Sequence, residues 1–139
     1  MSKDFILKKL EQIIKLIIEL SELAVLPFSD FKGKFTNIRT AERNFQLVVD
    51  LASDINAHIV LEHGGSTPET YRDSFVKMTD LGVLDKKNLP SFIKSANLRN
   101  ILVHEYDFDE DDFIFYKSLK EFLPIYQSYI KSIQEYISK

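Results

Sequence analysis

Apolar residues recur at steps of three and four along most of the chain, and that period limits the fold more than any motif does. Ile6, Leu10, Ile13, Ile17, Leu20 and Ala24 form one such stripe, which an amphipathic helix of about six turns would turn toward a core. Alternating apolar and polar runs of useful length, the mark of half-buried strands, do not occur. The four Gly and four Pro fall as punctuation between the periodic stretches, so the expected fold is all-α. The spacing predicts about five helices. The first ends around Pro27 and Gly33, and a loop follows over Lys32 to Asn37. A second carries Phe45, Val48, Ala52, Ile55 and Ile59 on one face, with Leu47, Leu51, Asp54, His58 and Leu61 on another. Two apolar faces imply burial on both sides.

Gly64 and Gly65 stop that helix, and Ser66 to Glu69 has capping-box spacing, with Pro68 in the first turn of a short third helix ending near Gly82. A fourth helix is expected from about Asp85 toward Val103. A fifth starts near Asp109 and presents Phe115, Leu119, Phe122, Tyr126, Tyr129, Ile133 and Tyr136, with a kink at Pro124. Short loops favour antiparallel neighbours, hence an up-and-down bundle in which the first and last long helices lie side by side.

Several function classes are excluded by composition. A chain of 139 residues without a linker is expected to be one domain, spanning 1–139, with a core of its own. Hydrophobic residues at 45% and charged residues at 28% describe an ordinary globular protein. The absence of cysteine removes disulfides, thiolate zinc sites and thiol nucleophiles, and suits a cytoplasmic location. The longest uncharged stretch, Phe122 to Ile130, is far too short to span a membrane. With 18 basic and 21 acidic side chains the net charge is −3, which argues against coating nucleic acid by bulk electrostatics but permits a local basic site.

One segment reads as more than packing: Leu98-Arg99-Asn100-Ile101-Leu102-Val103-His104-Glu105-Tyr106. On a helix Asn100 and His104 share a face, whereas Arg99 lies about 140° round from His104. The reach of the arginine must close that gap, or the helix must loosen near His104. An imidazole with a pKa of about 6.5 passes protons at neutral pH. A fixed guanidinium holds a phosphate and the charge that grows on it during transfer. The pairing suits metal-free RNA cleavage, in which the 2′-hydroxyl needs a base, the leaving 5′-oxygen an acid and the phosphorane a cation. One histidine serves poorly for both proton transfers, so a homodimer that brings two motifs together is chemically reasonable.

Arg99 to His104 fits the Arg-x4-His motif of HEPN domains, and Tyr106 extends it to Arg-x4-His-x-Tyr. Ala41 to Leu47, Asp54 to Ile59, Tyr71 to Phe75 and Leu81 to Leu84 are similar to successive landmarks of the HepT-like branch, so the resemblance spans roughly residues 39 to 130. It implies a five-helix dimer. It further implies an RNase toxin whose cognate minimal nucleotidyltransferase antitoxin AMPylates the motif tyrosine. On this resemblance Arg99 and His104 are catalytic, Asn100 supports them, and Tyr106 is the modified residue.

Other polar groups carry weaker signals. Asp54 and His58, spaced i and i+4, either approach the cleft, Asp54 as a supporting residue, or form a buried, mutually satisfied pair; for His58 the pair is favoured. Asp107, Asp109 and Asp111 imitate the start of a calcium loop, but Asp112 stands where glycine is needed and Ser118 where glutamate is needed. They suit the first turn of the fifth helix better. His58, His63 and His104 lack metalloprotease spacing, so neither a metal nor another cofactor is expected. The alternative to an RNase is a non-catalytic subunit that binds a nucleotide, or a nucleotidyltransferase's substrate, in the same groove. A third possibility is a helical dimer in which the motif only stabilises the bundle.

Overall fold

The computed structural model of the chain describes residues 2–104 and 112–139, with Ser2 and His104 described by backbone only. Its elements are α1 (Ser2–Ala24), α2 (Phe28–Gly33), α3 (Phe35–Glu62), α4 (Tyr71–Asp80), a 3-10 turn (Lys86–Asn88), α5 (Leu89–His104) and α6 (Asp112–Ile137). Helix α1 packs against α3 and α6, α4 against α3 and α5, and α5 against α3 and α6. The expected all-α bundle is therefore present, with the first and last long helices side by side. Among the described residues no helix is long and apolar enough to cross a membrane.

The core is built by the stripes that the sequence displays. All six residues of the α1 stripe are buried, as are Phe45, Val48, Ala52, Ile55 and Ile59 of α3 and Phe115, Leu119, Phe122, Tyr126, Tyr129 and Ile133 of α6. Each large apolar side chain so removed from water contributes about 1.5–3 kcal/mol. The second face of α3 is only partly covered within one chain: Leu51 is buried, Leu47 is half-buried, and Asp54 and Leu61 are exposed. Phe75 of α4 and Phe92 of α5 stack at 4.9 Å between ring centroids, and this pair seats the smaller helices on the larger ones.

Among the described residues six helices stand where about five were expected. Pro27 ends α1, as expected, but it also leads directly into α2, whose single turn and a half drives Phe31 into the core. The Tyr116 hydroxyl donates to the Leu26 carbonyl and ties this corner to α6. The Lys32–Asn37 segment is accordingly no loop, because α3 begins at Phe35. At the other end of α3, Gly64 takes φ +80°. Gly64 N–H donates to Leu61 O and Gly65 N–H to Val60 O, both at 3.0 Å, the pattern of a Schellman stop. A β-carbon at Gly65 would lie 2.8 Å from Val60 Cγ1, so the second glycine is required by close approach.

Helix α4 starts one turn later than the Ser66–Glu69 spacing suggests. Thr70 is its N-cap, with Oγ1 accepting from Asp73 N–H at 2.9 Å, and Asp73 Oδ2 accepts from Glu69 N–H at 3.1 Å. That backbone bond, together with Lys77, holds the Asp73 carboxyl below its ordinary pKa. Asp85 caps the 3-10 turn, and α5 proper begins at Leu89. Pro124 lies within α6, which continues unbroken past it.

Candidate active site

Arg99 and Asn100 ride on the last two turns of α5. Helical spacing puts Arg99 one turn beyond Ser95 and Ala96, which are buried, so its side chain is sent toward α3 instead of solvent. There Arg99 Nε donates to Asp50 Oδ1 at 2.7 Å. The guanidinium carbon lies 4.6 Å from the centroid of the Tyr71 ring, and Nη1 donates to Asn100 Oδ1 at 3.4 Å. The Arg99 side chain retains 13% of its exposure and that of Asp50 27%. This is a partly desolvated ion pair, and a charged hydrogen bond of that kind is shorter and stronger than a neutral one. The Tyr71 hydroxyl lies in the field of the same carboxylate. Partial burial, then Asp50, hold that hydroxyl above the ordinary phenol pKa, while Arg99 acts in the opposite direction.

Around this cation lies an open pocket of about 370 Å³. Ser53, Asp54 and Ala57 of α3, Pro68, Glu69 and Thr70 of the α3–α4 connection, Tyr71, Arg99 and Asn100 line it. Three of the residues singled out from sequence, Arg99, Asn100 and Asp54, thus share one cavity. α5 runs through His104 with helical backbone, so the five-residue spacing from Arg99 is helical throughout. The His104 side chain, Tyr106, and the aspartates at 107, 109 and 111 lie outside the described residues.

The expected buried pair of Asp54 and His58 does not form. Asp54 is exposed and bonds Lys9 Nζ of α1 at 3.2 Å. His58 instead stacks on Phe5 of α1, with centroids 4.5 Å apart and planes 20° apart. Its Nε2 is buried without a hydrogen-bond partner among the described residues. Tertiary neighbours on α1 have displaced the local i,i+4 contact. Conversely, sequence reasoning missed Asp50 and Tyr71 as site residues. Tyr71 enters the sequence reading only as a landmark, and Asp50, a single carboxylate between Val49 and Leu51, carries no local signal. A larger open pocket of about 590 Å³ is lined by Lys3, Glu62, His63 and Tyr136, among others, and includes no residue of the motif.

A helical bundle that seats the arginine of an Arg-x4-His helix in a solvent-open polar pocket has the architecture of a HEPN-type domain. Residues 6–133 match the family described as Ribonuclease HepT-like, and the chain belongs to that family. It is 28% identical over 129 residues to the tRNA nuclease HepT of Aphanizomenon flos-aquae, covering 93% of this chain and 87% of that one. It is 25% identical to a putative RNase of Archaeoglobus fulgidus, over 100% of this chain and 98% of that one. Among solved structures, the tri-AMPylated HEPN toxin of Shewanella oneidensis in complex with its MNT antitoxin superposes with a TM-score of 0.84 at 25% identity. That match covers 95% of this chain and 98% of the toxin.

Proposed function

We propose that the protein is the RNase toxin of a HEPN/minimal-nucleotidyltransferase pair, a homodimer that cuts RNA without metal and is neutralised by AMPylation of Tyr106. The observation that carries this reading is Arg99, held by Asp50 and lining an open pocket, on the helix that ends at His104 in a chain of the HepT-like family. In the reaction the 2′-oxygen attacks phosphorus while His104 accepts its proton. The 5′-oxygen leaves and takes a proton from the histidine of a second copy. The products are a 2′,3′-cyclic phosphate and a 5′-hydroxyl. Arg99 faces the charge that accumulates on the phosphorane.

The relative named as a tRNA nuclease makes tRNA the first substrate to assay. The AMPylated relative found with its antitoxin supports the nucleotidyltransferase as partner. The test is cleavage of tRNA by purified, unmodified protein in EDTA. Wild type is expected to cut, and Arg99→Ala and His104→Ala to lose activity by at least 10²-fold while remaining folded, the loss typical of removing one charge-stabilising or proton-transferring group. RNA that is bound but left intact by the wild type would favour the non-catalytic alternative. Activity lost in EDTA and restored by a divalent ion would overturn the metal-free mechanism.

A further inference from the structure

A guanidinium on a long, flexible side chain performs phosphate chemistry only if it is held, because a displacement of about 1 Å in a catalytic group costs around 10²-fold in rate. Arg99 is held from two directions by residues of two other helices. Asp50 of α3 takes Nε at 2.7 Å, and the Tyr71 ring of α4 lies against the guanidinium at 4.6 Å. We propose that Asp50 and Tyr71 are positioning residues that fix the Arg99 guanidinium by its Nε edge and one face and so present its Nη end to the scissile phosphate. This rests on the RNase reading above, in which Arg99 meets that phosphate.

The chemistry of the clamp sets it apart from an ordinary structural ion pair. Asp50 brings a negative charge beside the arginine that must attract an anion, and so opposes ground-state phosphate binding. Its benefit is geometric and is realised as the phosphorane forms. Removing Asp50 should therefore separate rate from affinity. A residue needed only for folding would lower both together.

The experiment measures single-turnover cleavage at saturating RNA, affinity for a 2′-O-methyl RNA that cannot be cut, and the Arg99 Nε–Hε resonance by NMR. Asp50→Ala is expected to slow cleavage about 10²-fold without weakening the binding of 2′-O-methyl RNA, and to remove exchange protection of the Arg99 Hε proton. Asp50→Asn keeps an acceptor for Nε and is expected to restore cleavage to within about tenfold of wild type, half of that loss on a logarithmic scale. Tyr71→Leu removes the ring face but leaves the Asp50 bond to Nε, and is expected to fall between wild type and Asp50→Ala. Asp50→Ala that stays folded and cuts within twofold of wild type overturns the clamp. So does an Arg99 Hε that is unprotected in the wild type. Wild-type protein that cuts no RNA overturns the RNase reading instead, and the Hε measurement then decides the clamp by itself.

Discussion

Tyr129→Phe removes a single oxygen from the centre of the bundle and tests whether buried polar bonds fix the helices around the site. Tyr129 is fully buried, and its hydroxyl donates to Asn56 Oδ1 at 2.7 Å, with Ala52 O at 3.0 Å. Phenylalanine fills the same ring volume, so the cost is electrostatic. Ala52 O lies inside α3, where the helix offers it another donor, but Asn56 Oδ1 is left fully buried without its donor. Stranding one buried acceptor costs about 1–3 kcal/mol. For 139 residues at about 2.1 cal/mol/K each, the unfolding entropy is near 0.3 kcal/mol/K, so Tm should fall by about 3–10 °C.

Tyr126→Phe is the internal control. Its hydroxyl meets Ser95 Oγ at 2.7 Å, and because Ser95 already donates to Phe92 O at 2.7 Å, Tyr126 is the donor. Ser95 therefore keeps its own bond when Tyr126 loses the hydroxyl, and the cost should stay near the net worth of one hydrogen bond, about 1 kcal/mol. Calorimetry and urea titration of both variants read the difference. Equal shifts, or a Tyr129→Phe shift below about 1 °C, far under the range worked above, would refute the assignment of the strain to Asn56.

Three further outcomes follow from the site and the charges. Tyr106→Phe should still cleave RNA but escape neutralisation when incubated with the cognate nucleotidyltransferase and ATP, and peptide mapping should find wild-type AMP additions at Tyr106; neutralisation equal to wild type would exclude that residue as the target. Burial holds the Tyr126 and Tyr129 hydroxyls above the ordinary phenol value, so the folded chain keeps protons that the unfolded chain releases from about pH 10 upward. Stability should be complete below that pH and decline above it, less steeply in Tyr126→Phe, as read from Tm between about pH 8 and 11. Among the described residues Arg99 is the only cation lining the pocket, beside Asp54 and Glu69, so each chain should neutralise one or two phosphates. The slope of log K against log salt for single-stranded RNA should then be about −0.7 to −1.4 per chain; a slope several times steeper would place the binding energy on basic surface elsewhere.

The long helices were legible because burial repeats with the helical period, and the stripes of α1, α3 and α6 needed nothing beyond that period. Helix α2 was not legible, since six residues are too few to display a period and Pro27 reads equally as an end and a beginning. The start of α4 was misplaced because two segments offer the same capping spacing, Ser66 to Glu69 and Thr70 to Asp73. The second won, as its threonine and aspartate both find backbone donors. Within the site, local spacing located Arg99 and its helix but not what holds the side chain. Asp50 lies 49 residues away in sequence, and only the crossing of α3 and α5 makes it a partner. The Asp54–His58 expectation failed for the same physical reason: Lys9 and Phe5, distant in sequence, offered each of them a nearer partner.

Apolar burial alone would not hold such a pocket to the accuracy that phosphate chemistry needs, because it has no preferred direction and tolerates small slides of one helix along another. Hydrogen bonds do not tolerate them. Ser95 and Arg99 stand one turn apart on α5; the first is bonded to Tyr126 of α6 and the second to Asp50 of α3. Asn56 Nδ2 of α3 donates to Ser74 Oγ at 3.0 Å, and Ser74 donates to Tyr71 O at 2.7 Å, which fixes the turn of α4 that carries the Tyr71 ring. Tyr129 of α6 closes the circuit on Asn56. Four helices therefore meet behind the pocket through bonds with fixed lengths, and the two that hold Arg99 are registered against each other by a polar contact the arginine itself does not make. A substitution in this circuit that leaves apolar volume intact would thus act on the position of Arg99 before it acted on the fold.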